Sequence, residues 1–190
     1  MWPSIRISAG FCLLAGWFAA VNGWRPLAAV LGAAVLHEAG HWIVLRLLGA
    51  EVLGLRVGLL GAVLETGGGL SYGGELAAVL AGPAANLLGA LALGTLGPAW
   101  IPAVGAQLVL GAFNLLPVRP LDGGRALYLA AAWLAGPEAG ERAARWTGAL
   151  TALVLAVCLG ELMRRTGGSL WLLPALAGLL GAAFREFFGK

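Results

Sequence analysis

The stretch VLHEAGHWIV (35–44) places two histidines and a glutamate among residues that are otherwise almost all apolar. His37 and His41 are four residues apart, so on a helix they share one face and can bind the same ion. Glu38 can reach a water molecule on that ion without occupying a coordination position. This HExxH pattern predicts the zinc-binding helix of a hydrolase, although its flanks are residues that a lipid bilayer would accept.

The composition indicates an integral membrane protein. Of the 190 residues, 60% are apolar and only 11% are charged, and the mean hydropathy is +0.89. A soluble domain averages about 25% charged residues, so this chain has too few charges to cover a surface that faces water. The net charge of +3 is spread between apolar segments, without the basic block that direct nucleic-acid binding requires. The lipid bilayer is therefore the expected surrounding of the chain.

Apolar runs predict an all-α polytopic membrane protein with a small membrane-associated β segment. The runs predict about six membrane-spanning helices, at 5–22, 25–48, 75–97, 99–117, 143–162 and 169–187. A seventh apolar piece, 125–136, is too short to cross and is predicted to form a partly buried or interfacial helix. All of these elements are expected to form a single domain, 1–190.

The β segment is the connection 49–74, between the second and third predicted spans. Its many glycines disfavour a helix, and its weak alternation predicts short strands, such as a hairpin at the membrane face. Backbone of that kind is tolerated at membrane depth only where protein or a watery cavity satisfies its polar groups.

The distribution of Lys and Arg predicts the orientation of the chain. Six spans place both termini on the same side of the membrane. With the termini in the cytoplasm, most Lys and Arg residues lie in cytoplasmic segments, as the positive-inside rule requires. Arg25, Arg164 and Arg165 are the exceptions, and the adjacent pair Arg164 and Arg165 is the discordant feature. A multi-pass protein with cytoplasmic N- and C-termini is therefore expected.

A catalytic zinc site needs a third protein ligand, and Asp122 is the candidate. It is the only aspartate of the chain and lies in NLLPVRPLDGG (114–124), where an apolar span ends. Pro117 and Pro120 are expected to stop or kink the helix. The glycine pair that begins at Gly123 is expected to allow a tight bend that turns the carboxylate toward the membrane interior. The residues alone leave a second interpretation open, in which Asp122 caps the helix that follows it.

Three motifs resemble the site-2 protease family of intramembrane zinc metalloproteases (peptidase family M50). They are HEAGH in an early span, GPAAN (82–86) in the third span and NLLPVRPLDGG closing the fourth. The likeness extends to the sporulation-type branch, which cleaves the membrane-tethered pro-form of a late sporulation sigma factor. That branch has six spans and no inserted PDZ domain. Its usual CBS domain is not expected within these 190 residues.

The resemblance implies that His37, His41 and Asp122 bind one zinc ion per chain, with Glu38 as the general base. It implies that Asn114 lies near the substrate backbone or polarises the scissile carbonyl, while an interhelical hydrogen bond is the alternative. Region 49–74 would then be an edge-strand platform on which an unwound substrate adds a strand.

The other motif residues are expected to have structural roles. Gly82, Pro83 and Asn86 are expected to pack the third span against the metal helices. Pro117, Pro120 and Gly123 are expected to shape the ligand motif.

The function predicted in this way is regulated intramembrane proteolysis near the cytoplasmic face of a bacterial inner membrane. The expected partners are a membrane-tethered substrate, such as a pro-sigma or anti-sigma factor, and membrane inhibitor proteins. Two alternatives stay open, a membrane metal transporter and a catalytically inactive scaffold of the same fold. A transporter would show ligands in several spans along a polar path. A scaffold would not require Glu38, since metal binding alone does not use it.

Overall fold

The computed structural model describes residues 4–58 and 61–165, together with residues 180, 181 and 184. The described part is mostly helical, with one small sheet. The helices are α1 (Ala9–Asn22), α2 (Trp24–Leu47), α3 (Tyr72–Gly94), α4 (Ile101–Asn114), α5 (Asp122–Ala135) and α6 (Pro137–Arg165). The strands are β1 (Ser4–Ile7), β2 (Glu51–Gly58) and β3 (Gly61–Gly67). The chain divides into two compact units, residues 1–114 and residues 115–190.

In the first unit, α3 packs against both α2 and α4, which also contact each other. Small residues allow the close approach. A Cβ added to Gly40 on α2 would lie only 2.7 Å from the Cβ of Ala85 on α3. The start of α3 is fixed by Ser71, whose hydroxyl accepts a hydrogen bond from the amide of Gly74 at 3.2 Å. These three helices form the core of the first unit.

The β segment has the predicted character. Strands β2 and β3 pair antiparallel, with Arg56 opposite Val63, and lie within the predicted region 49–74. The Arg56 guanidinium also forms an ion pair with Glu65 on the neighbouring strand. Strand β1 pairs parallel with β2, and the strand order is β1-β2-β3. Among the described residues, β3 therefore pairs on one edge only.

The predicted first and fourth spans were too long. Residues 4–7 form β1, and α1 begins only at Ala9, after Ser8 accepts a hydrogen bond from the amide of Phe11 at 3.2 Å. The predicted fourth span, 99–117, shrinks to the 14 residues of α4, because a short 3-10 turn (Pro98–Trp100) precedes it and the chain leaves the helix at Asn114. The predicted fifth span and the short helix at 125–136 correspond to α6 and α5.

Among the residues that the structure describes, three helices are long and apolar enough to cross a membrane, namely α2, α3 and α6, and α1 is a shorter apolar helix. The predicted sixth span, 169–187, lies almost entirely outside the described residues, so the count of six stays a prediction. Large apolar side chains are widely exposed, for example Leu47 at 80% and Leu134 at 86%. Such a surface suits lipid rather than water, so the chain is a membrane protein.

In the second unit, α5 packs against α6 through small residues. A Cβ on Gly140 would lie 2.7 Å from the carbonyl oxygen of Tyr128. The loop before α5 is joined to α6 by Arg119, whose guanidinium donates two hydrogen bonds to the Glu141 carboxylate at 2.9 and 2.7 Å. This loop carries the proline-containing part of the predicted ligand motif.

Candidate metal centre

His37 and His41 lie together on one face of α2, as their spacing predicts. Their Nε2 atoms are 3.1 Å apart, and the two rings are nearly perpendicular, at 85°. His37 is buried, with 4% of its surface exposed, and His41 is half-buried. Two imidazole nitrogens therefore converge on one point inside the first unit.

The other ring nitrogen of each histidine is held by an acceptor on α3. Nδ1 of His41 lies 2.8 Å from the carbonyl oxygen of Ala78, which can only accept, so Nδ1 must donate. Nδ1 of His37 lies 2.6 Å from Oδ1 of Asn86. The amide nitrogen of Asn86 donates to the carbonyl of Ala33 at 3.0 Å, which assigns the other end of the amide as the oxygen. Nδ1 of His37 therefore donates as well.

This hydrogen bonding decides what the two Nε2 atoms can do. A neutral imidazole carries one N–H, and in both rings it is on Nδ1, so both Nε2 atoms present lone pairs. Two lone pairs facing each other repel unless a cation lies between them. Tetrahedral zinc with Zn–N bonds of 2.0–2.1 Å separates two nitrogen ligands by about 3.3–3.4 Å. The observed 3.1 Å fits two adjacent positions on one such ion.

Gly82 on α3 makes room for both rings. A Cβ at this position would overlap Nε2 of His41 and would lie 2.8 Å from Nε2 of His37. No side chain larger than hydrogen fits there unless the rings move. The expected packing role of Gly82 thus includes contact with the metal-binding atoms themselves.

Glu38 follows His37 directly on α2 and is partly buried. Consecutive residues of a helix point in different directions, so Glu38 does not share the face on which His37 and His41 lie. Its placement suits a base that works next to a metal rather than on it.

Asp122 belongs to the second unit and is the first residue of α5. The N-cap residue is Leu121, and the helix start has no side-chain cap hydrogen bond, so the capping interpretation of Asp122 is not what the structure shows. The positive end of the helix dipole favours a carboxylate in this first turn. Asp122 is partly buried and is thus available as an anionic oxygen donor.

The expected bend after Asp122 is not formed, and the glycine pair has another role. Gly123 and Gly124 are buried within the first turn of α5. A Cβ on Gly123 would collide with the carbonyl groups of Leu115 and Leu116, and one on Gly124 would lie 2.7 Å from the carbonyl carbon of Val118. The glycines let the preceding loop pass directly against the helix end. In this way they hold Asp122 at the start of α5.

The remaining predicted residues lie as follows. Asn114 is the last residue of α4, and its side-chain amide donates to the carbonyl of Leu110 in the same helix at 3.1 Å. Pro83 is buried in the interior of α3. Pro117 and Pro120 lie in the loop between α4 and α5, after the helix has already ended. The substrate contact expected of Asn114 stays a prediction.

Two contributors escaped the sequence reasoning. One is the backbone carbonyl of Ala78, which no sequence pattern marks. The other is Gln107 on α4, which is 4% exposed and accepts a hydrogen bond from the Asn86 amide at 2.5 Å. It is the only glutamine of the chain and lies within an apolar helix. A polar side chain in such a segment usually has an interhelical partner, and that signal could have identified it.

Fold and site together define a membrane protein with a candidate zinc site built on an HExxH helix. No protein-family model matches the chain. It is 34% identical over 95% of its length to two proteins of Mycobacterium tuberculosis, from strains Erdman and H37Rv, both named "Putative zinc metalloprotease Rip3". The chain spans 46% of these relatives, about half their length.

The comparison with solved structures identifies the fold. The site-2 protease from Methanocaldococcus jannaschii superposes with a TM-score of 0.68 at 23% identity, covering 96% of this chain and 89% of that one. The chain has the fold of a site-2 protease, and the two findings confirm the resemblance to that family which the motifs indicated. The likeness to the sporulation-type branch stays a prediction.

Proposed function

We propose that this chain is an intramembrane zinc endopeptidase that hydrolyses a peptide bond in or near the membrane segment of a protein substrate. The observation that carries the proposal is the pair of Nε2 atoms of His37 and His41, 3.1 Å apart on an apolar helix, with Glu38 next to His37 in the chain. The fold of a site-2 protease and the likeness to proteins named as zinc metalloproteases support it.

One zinc ion per chain is proposed, held by His37, His41 and Asp122. These residues offer two imidazole nitrogens and one carboxylate oxygen, a candidate metal-binding group among the described residues. Two nitrogens and one carboxylate form a known ligand set of catalytic zinc, which leaves a fourth position open. A bound zinc supplies a Lewis acid that polarises a peptide carbonyl and lowers the pKa of water.

Glu38 is the proposed general base. It takes a proton from the attacking water and passes it to the amine of the departing peptide. His37 and His41 keep their orientation during this step because their Nδ1 atoms stay bonded to Asn86 and to the carbonyl of Ala78. The protein thus contributes a base of its own and a rigid frame for the metal.

Strand β3 is the proposed docking edge for the substrate. A helical substrate hides its carbonyl groups, so it must unwind locally before it can be cut. The second edge of β3, which pairs with no strand among the described residues, offers main-chain groups to such an extended segment. Val63 on this strand is 59% exposed.

The proposed setting is a bacterial inner membrane, crossed several times, with both termini in the cytoplasm. Cleavage near the cytoplasmic face would release a cytoplasmic domain, such as a pro-sigma factor or another transcription regulator. Membrane inhibitor proteins are proposed as further partners. The motif order and the distribution of Lys and Arg support this setting.

Co-expression with membrane-tethered reporters tests the proposal. Each reporter carries one membrane span and a cytoplasmic tag, and tag release is measured by immunoblot. Glu38→Gln should lower cleavage by about 10²–10⁴-fold, the usual contribution of a general base. Its zinc content, measured on purified protein, should equal that of the wild type because Glu38 is not a ligand.

A matched control is Glu138→Gln, which neutralises an exposed carboxylate at the start of α6. This variant should cleave like the wild type. Cleavage by Glu38→Gln at the wild-type rate would remove Glu38 as the base. Metal uptake into vesicles without proteolysis would favour a transporter instead.

A further inference from the structure

A chain of two side-chain amides reaches from α4 to the metal-binding face of α2. Asn86 on α3 is fully buried, with 0% of its surface exposed, and Gln107 on α4 is 4% exposed. Oε1 of Gln107 accepts from Nδ2 of Asn86 at 2.5 Å, and Oδ1 of Asn86 accepts from Nδ1 of His37 at 2.6 Å. The bonds run without interruption from Gln107 to the ring that carries a proposed ligand atom.

Glycines on both sides shape the slot that holds these amides. A Cβ on Gly89 would lie 3.2 Å from Cδ and 3.3 Å from Oε1 of Gln107. A Cβ on Gly111 would lie 3.1 Å from the Cβ of Asn86. Contacts this short are tighter than most packing contacts, so a side chain at either position would require its neighbours to shift by a few tenths of an ångström. The two amides are therefore closely packed on both sides.

The direction of each amide has a consequence for the histidine. Both hydrogens of the Asn86 amide are used, one on the carbonyl of Ala33 and one on Gln107. The oxygen of Asn86 must then face His37, where it can only accept. It therefore holds the proton of His37 on Nδ1 and leaves Nε2 with a lone pair. A reversed amide would present N–H groups to the ring and favour the opposite tautomer.

We propose that Gln107 is a positioning residue for the metal ligand His37 and acts through the amide of Asn86. The inference rests on the proposed zinc site. Gln107 has no contact with the metal, and its role is to keep Asn86 from turning over or swinging away. Hydrogen-bond partners of zinc-bound histidines fix the tautomer and the ring orientation, and their loss costs about 10–100-fold in metal affinity.

The first experiment determines the tautomer of the His37 ring in metal-free protein. The chain has two histidines, so protein labelled with ¹⁵N-histidine gives signals from two rings only. In the metal-free wild type, the His37 ring should be the Nδ1–H tautomer. Gln107→Met matches the length of glutamine but has no strong acceptor, and it should shift His37 toward a mixture with the Nε2–H tautomer. Gln107→Glu keeps an oxygen that accepts and should retain the wild-type tautomer.

The second experiment measures metal affinity, by titrating purified protein with Co²⁺ and displacing it with Zn²⁺. Asn86→Leu should weaken binding by about 10–100-fold. Gln107→Met should weaken it by a smaller factor, roughly three- to tenfold, since the bond from Asn86 to Ala33 remains. The absorption spectrum of bound Co²⁺ should change in both variants, because the ring of one ligand turns. Gln107→Glu should stay close to the wild type.

The double variant Asn86→Leu with Gln107→Met distinguishes positioning from packing. If Gln107 acts through Asn86, the double variant should bind metal no more weakly than Asn86→Leu alone. Effects that simply add would overturn the proposal, because they would mean that Gln107 acts by a separate route. Wild-type affinity and tautomer in Gln107→Met would overturn it as well. If Gln107→Met does not fold, Gln107→Asn, which is shorter by one methylene, serves in the same tests.

The outcomes separate this inference from the proposed function. A wild-type protein that binds neither Co²⁺ nor Zn²⁺ would defeat the zinc proposal, whereas the tautomer experiment would still decide whether Gln107 orients His37. If the wild type binds metal and Gln107→Met binds it with the same affinity, the zinc proposal stays intact and the proposed role of Gln107 is defeated.

Discussion

At the scale of single residues, the orientation of the two histidines depends on atoms outside their own motif. The spacing of His37 and His41 places them on one face, but Asn86 and the carbonyl of Ala78 decide which nitrogen is available. Spacing alone could predict that the residues meet. It could not predict which nitrogen faces the metal, because that depends on hydrogen bonds from another helix.

Gly82 provides a prediction at this scale. Gly82→Ala adds a methyl group that would overlap the imidazole of His41 and crowd His37, so the two Nε2 atoms must separate. Zinc affinity should fall by at least about tenfold, comparable to the loss of a hydrogen-bond partner of a ligand. The measurement is zinc competition against a chromogenic chelator.

Gly94→Ala is the matched control on the same helix, since nothing lies within 4 Å of a Cβ at that position. It should bind zinc like the wild type. Equal affinity in Gly82→Ala would show that the rings are not held where the structure places them.

At the scale of elements, the strands show what local pattern can predict. The hairpin of β2 and β3 was predicted because glycines exclude a helix there, and the structure confirms it. Strand β1 was predicted as the start of a helix. Its sequence, SIRI, does not by itself exclude either state, and pairing with Gly54–Val57 on β2 makes it a strand. Such a pairing joins residues about fifty positions apart, which no local window contains.

The open edge of β3 leads to a prediction about the bound substrate. Cys12 and Cys158 are first replaced by serine, and Val63→Cys is combined with Glu38→Gln to retain uncut substrate. Single cysteines are then placed along the substrate segment. Cross-strand neighbours have Cβ atoms about 4.5–5.5 Å apart, close to the range that a disulfide spans. Disulfides should form at every second substrate position.

The period of cross-linking is the measurement, read on non-reducing gels. A period of three to four residues would mean that the substrate stays helical and would exclude strand addition at β3. As a positional control, Leu13→Cys on α1 should show no alternating pattern, because it is an exposed helix position and not part of a strand.

At the scale of the whole molecule, the distribution of exposed and buried residues suits a lipid surrounding. The exposed surface carries large apolar side chains, while the buried residues among those described are mostly alanine and glycine, such as Ala33, Ala149 and Ala152 at 0% exposed. Helices in lipid gain little from burying large apolar groups, so they pack closely through small residues. Polar residues within such packing need partners, and the Asn86–Gln107 pair meets that need.

The proposed ligand set includes Asp122 besides the two histidines, and this gives the prediction at the largest scale. Asp122→Ala should lower zinc affinity by more than about tenfold, since even indirect supports of a ligand contribute 10–100-fold. Peptide cleavage should be lost together with zinc. Zinc content by elemental analysis and reporter cleavage are the measurements.

Glu138→Ala removes an exposed carboxylate from the same unit and should change neither. If Asp122→Ala kept full zinc affinity, the third ligand would have to be another residue, and His37 and His41 would remain as two of the set.

The sequence by itself determined that this is a membrane protein with a candidate metal-binding helix. Composition and helical spacing are local properties, so apolar runs and an HExxH pattern can be recognised without a fold. Asp122 could be named as a candidate but not separated from a helix cap, because both interpretations use the same carboxylate. Only the tertiary structure decided that Leu121 is the N-cap and that Gln107 supports His37 through Asn86. Such contacts join helices that are distant in the chain, and the direction of a lone pair depends on them.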